Sequence, residues 1–298
     1  MDTTLVILAA GLSSRFGGGS TKQVAAVGPN GEIIADYLVF DAIRGGFTKI
    51  VYVIKEDMEE NFVKNVSSKI KGAEVVLAFQ KMDDLPTGFD LWAREKPWGT
   101  AHALWAARHA VDEPMMLVHC DDFYGADIFA TVNNFLSDPE NGDFDYAVGG
   151  YRLENTLSEN GGVNRGVCAV KNGFLAGMEE IREIQRRPEG IAYPAEGGLK
   201  YLPGSAIVSM GAFAFKPSIF AAIEADFAQF LSKNAKNPTV EFYLTSVVGD
   251  ILQRGEATMK VLEAKARWFG VTFPEDKAAV VEAIAGLIKQ GEYPQKLF

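Results

Sequence analysis

The stretch that most constrains this chain is Leu8 to Gln23, LAAGLSSRFGGGSTKQ, entered directly from the apolar run Leu5-Val6-Ile7-Leu8. Small residues dominate it: Ala9, Ala10, Gly11, Ser13 and Ser14, then Gly17-Gly18-Gly19-Ser20. Without bulky side chains, successive backbone N–H groups can turn inward and approach a ligand closely, which suits a polyanion such as a triphosphate. Arg15 and Lys22 add two cations to that cradle. Its position straight after a first strand argues against an ordinary surface loop.

Two common phosphate-binding patterns do not match. A Walker A loop needs a Gly-Lys-Ser/Thr ending, which Gly17 to Lys22 lacks, and Gly11-x-Ser13 breaks the GxGxxG dinucleotide fingerprint. Downstream, Gly28-Pro29-Asn30-Gly31 is a turn, Ile34 to Ala42 repeats at helical spacing, and Gly45-Gly46 stops that helix. Strands are expected at 48–54, 73–79, 115–119, 207–215 and 258–262. Helices are expected at 56–71, 98–111, 218–232, 240–254 and 276–290, with 161–171 a loop entering a strand. Strands alternating with helices imply an α/β fold with a mainly parallel sheet.

With 298 residues and 48% hydrophobic content the chain can bury a large core, and no Pro/Ser-rich linker or charge block divides it. A single domain over 1–298 is expected, with a first part at 1–150 and a second part at 151–298 that carries the C-terminal helices. The net charge of −10 argues against nucleic acid and anionic membranes as partners, so phosphate must be held by a few local cations. Cys120 and Cys168 have no CxxC spacing and read as buried free thiols. No signal peptide or membrane-length apolar run is present, and a cytoplasmic protein is expected. A homo-oligomer is compatible with all of this.

The chemistry concentrates at 120–125, CDDFYG, after the strand at 115–119. Acids at the carboxyl end of a strand stand in the crevice where open α/β sheets bind ligands. Asp121 is the candidate for Mg²⁺, with capping of the helix near Asp127 as the alternative. Asp122 suits a capping or supporting role as well as ligation.

The opening resembles the signature loop of the sugar-phosphate nucleotidyltransferases, LAAGxGxRxG followed by a lysine. Here it reads Leu8-Ala9-Ala10-Gly11-Leu12-Ser13-Ser14-Arg15-Phe16-Gly17, with Lys22 downstream. The resemblance implies a Rossmann-like, nucleotide-diphospho-sugar transferase fold. It also implies nucleotide contacts from Ala9, Ala10, Gly11, Leu12 and Ser13, and catalytic roles for Arg15, Lys22 and Asp121. Asp121 falls on the family's metal-binding Asp, with Cys120 in the small-residue place. Gly99-Thr100-Ala101-His102-Ala103 is similar to the family's GTAHA, whose Gly and Thr line the base pocket. Five positions before that glycine the family commonly has Gln, and this chain has Arg94. Arginine only donates, so it would serve acceptor edges of cytosine or guanine; a solvated role for Arg94 is the alternative.

Residues 268–276, WFGVTFPED, line up with the family's WxDIGTPED, but Gly270 stands in the second metal ligand's place. Thr272 or Asp276 could fill the gap, Asp276 being also an ordinary acid at a helix N-terminus. Arg182, in Glu179-Glu180-Ile181-Arg182-Glu183, sits roughly where relatives carry a phosphate and sugar contact, and its charge pattern equally suits a solvated helix face. His102, His109 and His119 lack metal-ligand spacing and receive no catalytic role. No hexapeptide array is present. GGxxxKQ followed by GPNGEII is similar to a branch of bacterial nucleotidyltransferases without an assigned substrate. The implied activity is Mg²⁺-dependent transfer of a nucleotidyl group from a nucleoside triphosphate to a sugar 1-phosphate. The alternatives are cytidylyl transfer to a non-sugar phosphate such as phosphocholine, or an inactive nucleotide-binding regulator.

Overall fold

The computed structural model describes residues 2–10, 26–234, 236–270 and 275–298. The chain runs β1 (Thr4–Leu8), α1 (Ile34–Arg44), β2 (Lys49–Ile54), α2 (Glu59–Asn65), β3 (Glu74–Phe79), α3 (Thr100–Trp105), β4 (Met115–His119), β5 (Asp122–Phe123), α4 (Ala126–Ser137) and β6 (Asp145–Arg152). It continues through β7 (Val163–Lys171), β8 (Phe174–Arg187), β9 (Gly190–Ala195), β10 (Gly198–Leu202), β11 (Ile207–Phe215), α5 (Ile219–Asn234), α6 (Leu244–Gln253), β12 (Thr258–Glu263), β13 (Phe269–Gly270) and α7 (Asp276–Lys289).

The main sheet has the order β10-β9-β8-β12-β6-β11-β4-β1-β2-β3, with β7 pairing both β11 and β8. From β3 to β4 all pairs are parallel, and β6 and β12 are parallel to each other. β11 runs antiparallel between β4 and β6, so the sheet is mixed, as expected. A continuous apolar run such as Leu5-Val6-Ile7-Leu8 makes sense only if both faces are covered. They are: Leu5 and Ile7 join one core with α1, α4 and α7, and Val6 and Leu8 another with α3, α5 and α6. Both cysteines are buried, and burial pushes the Cys168 thiol up to about 12.

Three expected helices differ. Residues 56–71 form only the short α2 between two 3₁₀ turns, because the chain leaves helical geometry at buried Val66, followed by the poor helix formers Ser67 and Ser68. The helix expected at 98–111 is regular only over α3, after which i→i+3 bonds such as Ala107 N–H to Leu104 C=O tighten the chain into turns. Arg182 lies on β8, not on a helix. Ile181 and Ile184 are both buried at helical spacing because Glu183 adopts φ 57° at a shift of the β7–β8 register. A bulge therefore imitates a helical period. No helix among the described residues is long and apolar enough to cross a membrane.

Candidate active site

The carboxyl ends of β1, β3 and β4 surround a cavity of about 440 Å³ lined by Leu8, Ala10, Lys55, Gln80, Gly99, Thr100, His119 and Asp121, among others. Among the nucleotide residues expected from sequence, Ala10, Gly99 and Thr100 meet here. Ala9 does not offer its N–H, which donates to the Val53 carbonyl at 2.9 Å and extends the β1–β2 ladder. Gly11, Leu12, Ser13, Arg15, Lys22 and Thr272 lie outside the described residues.

Gly99 can only be glycine. Its φ is 114°, and a Cβ there would lie 2.5 Å from the Phe242 carbonyl oxygen. The following Thr100 accepts the Leu244 N–H at 3.0 Å, tying the start of α3 to the first turn of α6. At the end of β3, Gln80 Nε2 donates to the Gly99 carbonyl at 3.1 Å and to His102 Nδ1 at 3.2 Å. His102 Nε2 in turn donates to the Asp84 carbonyl at 2.9 Å. The imidazole is fully buried, and that burial holds its pKa down to about 4, so the ring is neutral and keeps one donor and one acceptor nitrogen.

Arg94 is committed elsewhere. Its guanidinium donates to the carbonyls of Asn237, Pro97 and Val240 and sits 3.9 Å from the centre of the Trp98 ring. It is a clamp on the 81–97 loop, not a donor aimed into the cavity, and the side chain beside Gly99 is Gln80. Counting back from Gly99 missed it because a long irregular segment separates β3 from α3. The available signal was a Gln directly following a strand. Lys55 also lines the cavity, as does Lys96 at its rim, and neither was singled out from sequence.

Asp121 is exposed just past the end of β4 and does not cap α4, whose N-cap residue is Gly125 and which has no side-chain cap. Asp122 opens β5, which pairs antiparallel with β13 so that Asp122 faces Gly270. A Cβ on Gly270 would lie 3.2 Å from both the Asp121 carbonyl oxygen and Asp122 Oδ1, so position 270 does stand beside the two acids. The half-buried Asp122 carboxyl is pushed up to about 7, first by lost hydration and then by the neighbouring Asp121 charge. Asp276 accepts from Ser158 Oγ at 2.9 Å and Asn160 Nδ2 at 2.8 Å and lines a further cavity under α7, whose wall it shares with Gly270.

A second, larger cavity of about 1240 Å³ opens on the other side of the β4 end, between β7, β8, β11 and α6. Glu180, Arg182, Ser209, Tyr243, Thr245 and Asp250 furnish its polar lining. Arg182, 3.6 Å from Glu180, is here at the wall of a cavity rather than on a solvated helix. The two cavities share Thr100 and His119.

A parallel strand end that carries an acid into a glycine-lined pocket and adjoins a larger polar cavity fits the outcome of family comparison. Residues 4–274 match the nucleotidyl transferase family. The chain belongs to that family. The enzyme is thus a nucleotidyltransferase, and no curated protein matches it in sequence. In fold it is similar to an inositol-1-phosphate CTP transferase from T. maritima, at 15% identity and a TM-score of 0.60 over 96% of each chain. It is also similar to a UDP-glucose pyrophosphorylase complexed with UDP-glucose, at 16% identity and a TM-score of 0.58, covering 96% of this chain and 99% of the other. At such identities the likeness speaks for the fold of this nucleotidyltransferase and leaves its substrates to its own residues.

Proposed function

We propose that the enzyme transfers a nucleoside monophosphate from a nucleoside triphosphate to a sugar 1-phosphate, giving an NDP-sugar and pyrophosphate. The observation that carries this reading is the pair of cavities meeting at the end of β4, where Asp121 stands. A phosphate oxygen of the acceptor forms a bond to the α-phosphorus, the bond from that phosphorus to the bridging oxygen breaks, and pyrophosphate leaves with the electron pair. The acceptor is already an anion, so positioning and charge stabilisation suffice.

The first part of the chain, 1–150, holds the nucleotide in this reading, and 151–298 holds most of the acceptor. Backbone N–H groups of Gly11, Leu12 and Ser13 cradle the triphosphate, while Arg15 and Lys22 oppose its charge. Gln80 meets the base beside Gly99 and Thr100. Both Nε2 hydrogens are engaged, so its Oε1 remains as an acceptor, which suits the N3–H of uracil or thymine. The case for cytidylyl transfer to phosphocholine rested on Arg94 and loses that support.

The hard oxygens of Asp121 and its neighbour Asp122, which stand together beside Gly270, fit Mg²⁺, which accepts one or two carboxylates and takes further ligands from substrate phosphates. When bound, the ion would neutralise developing phosphate charge. Asp121 is the residue proposed to hold it. Soluble, cytoplasmic action on small phosphorylated substrates completes the reading.

The test is pyrophosphate release with Mg²⁺, crossing the common nucleoside triphosphates with sugar 1-phosphates, inositol 1-phosphate and phosphocholine. Release with UTP or dTTP and one sugar 1-phosphate is expected. Triphosphate binding without release for any acceptor would instead support the inactive, regulatory alternative.

A further inference from the structure

Nucleotidyl transfer brings two polyanions together, so whatever stands between their cavities touches both the donor and the acceptor side. Thr100 and His119 are the described residues that line both. The Thr100 hydroxyl oxygen already accepts the Leu244 N–H and anchors α6. The His119 imidazole has no hydrogen-bond partner among the described residues, although its backbone N–H donates to the Tyr124 hydroxyl.

The backbone around His119 is shaped to hold that ring at the boundary. His119 is the last residue of β4, paired with Leu8 on one side, where the chain enters the small-residue loop. On the other side the β4–β11 ladder ends at Leu117–Phe213, and β11 then carries an irregularity between Ser209 and Phe213. Within it, Gly211 has φ 80°, and a Cβ there would lie 2.5 Å from His119 Cδ2 and 2.6 Å from Nε2. The strands part where the ring needs room, and the residue across from it has no side chain. Nothing in core packing calls for this, since the ring is only half-buried and points into the cavity wall on the same face as Leu117.

We propose that His119 is the hydrogen-bond donor presented to the acceptor, contacting an oxygen of the phosphorylated sugar at its phosphate or at an adjacent hydroxyl. This rests on the transferase reading given above. An imidazole N–H donor suits a place where two phosphates converge, because it offers a fixed hydrogen bond to their oxygens. The wall beyond it, with Glu180, Asp250 and Ser209, offers acceptors and hydroxyls for the rest of a polyol.

The experiment begins with wild-type pyrophosphate release on the acceptor panel; silence with every pair overturns the transferase reading, and this inference with it. Given an active pair, His119→Leu is expected to raise the acceptor KM about 10- to 100-fold while the triphosphate KM changes less than about twofold, and His119→Asn, which keeps a donor, to recover part of the loss. An unchanged acceptor KM, a rise confined to the triphosphate, or an Asn variant no better than Leu overturns the assignment. If the variants do not fold, the wild type still decides. With only 3 histidines in the chain, ¹³C-histidine NMR follows His119 directly. Its ring signal should move when glucose 1-phosphate is added to the complex with a non-hydrolysable triphosphate analogue. A move with inorganic phosphate too identifies the phosphate as the contact, a move with the sugar phosphate alone identifies a hydroxyl, and no move with either overturns the proposal.

Discussion

The two cavities that meet at His119 are built in opposite ways. The cavity proposed for the nucleotide is made of strand ends and main chain: the termini of β1, β3 and β4, the positive-φ Gly99, and Gln80 locked by two hydrogen bonds. The cavity proposed for the acceptor is walled by long side chains on antiparallel strands, with Arg182 three-quarters exposed and Glu180 about half exposed. Triphosphates are alike whatever the sugar, so a site fixed by backbone serves them, whereas an acceptor is distinguished by hydroxyl pattern, which side chains on a pliable wall can follow. Substitutions should therefore be costly to fold or chemistry on the first side and selective on the second.

Asp121→Ala should have the largest effect, lowering kcat at least a thousandfold, about 4 kcal/mol in activation free energy, with the melting temperature unchanged because the side chain is exposed. Pyrophosphate release beside a thermal melt checks both halves. Gly99→Ala should instead unfold the protein more easily, by about 2–4 kcal/mol, since the added methyl meets Phe242 in a backbone conformation closed to alanine. Denaturant titration measures this, and a neutral result would break the claim that main chain defines the nucleotide side.

Acid should loosen the same side. His102 has a folded-state pKa of about 4 against 6.5 in the unfolded chain, so the unfolded state binds more protons between those values. The stability contributed by neutral His102 is complete above pH 6.5 and is lost as pH falls toward 4, by roughly 3 kcal/mol. Urea midpoints from pH 7 to 4 should show a decline that is reduced in His102→Gln.

Smaller effects sharpen the contrast. Gln80→Leu should reduce discrimination among bases about tenfold, whereas Arg94→Ala should leave base preference alone and lower stability by about 1–2 kcal/mol through the lost clamp on Trp98 and three carbonyls. Competition between triphosphates separates the two residues. Arg182→Ala should raise the acceptor KM only about three- to tenfold and leave the melting temperature unchanged, and an equal effect on the triphosphate KM would contradict the division of labour.

Residues whose meaning is local were legible without a structure. The apolar run at 5–8, the strand 115–119 with Asp121 two residues beyond it, and Gly99-Thr100 at a helix start all lie where their patterns put them. Ile207–Phe215 and Asp276–Lys289 also emerged within a residue or so of their expected bounds, because hydrophobic periodicity reports directly on burial. Arg182 did not, because a bulge at Glu183 gives a strand the spacing of a helix.

By itself, then, the sequence determined the strand ends at β1 to β4 and the small, acidic or cationic character of the residues just beyond them, since strand and turn chemistry act over a few residues; β6 and the antiparallel strands β8 to β10 were not read from it. Tertiary structure alone decided which distant groups share a wall. It brought Gln80 to Gly99 across the 81–97 loop and drew Arg94 onto Trp98. It set Gly270 against Asp121 and Asp122, and placed Gly211 opposite His119. Those pairings depend on strand order and on where ladders end, quantities set by the packing of the whole sheet and written in no single stretch of chain.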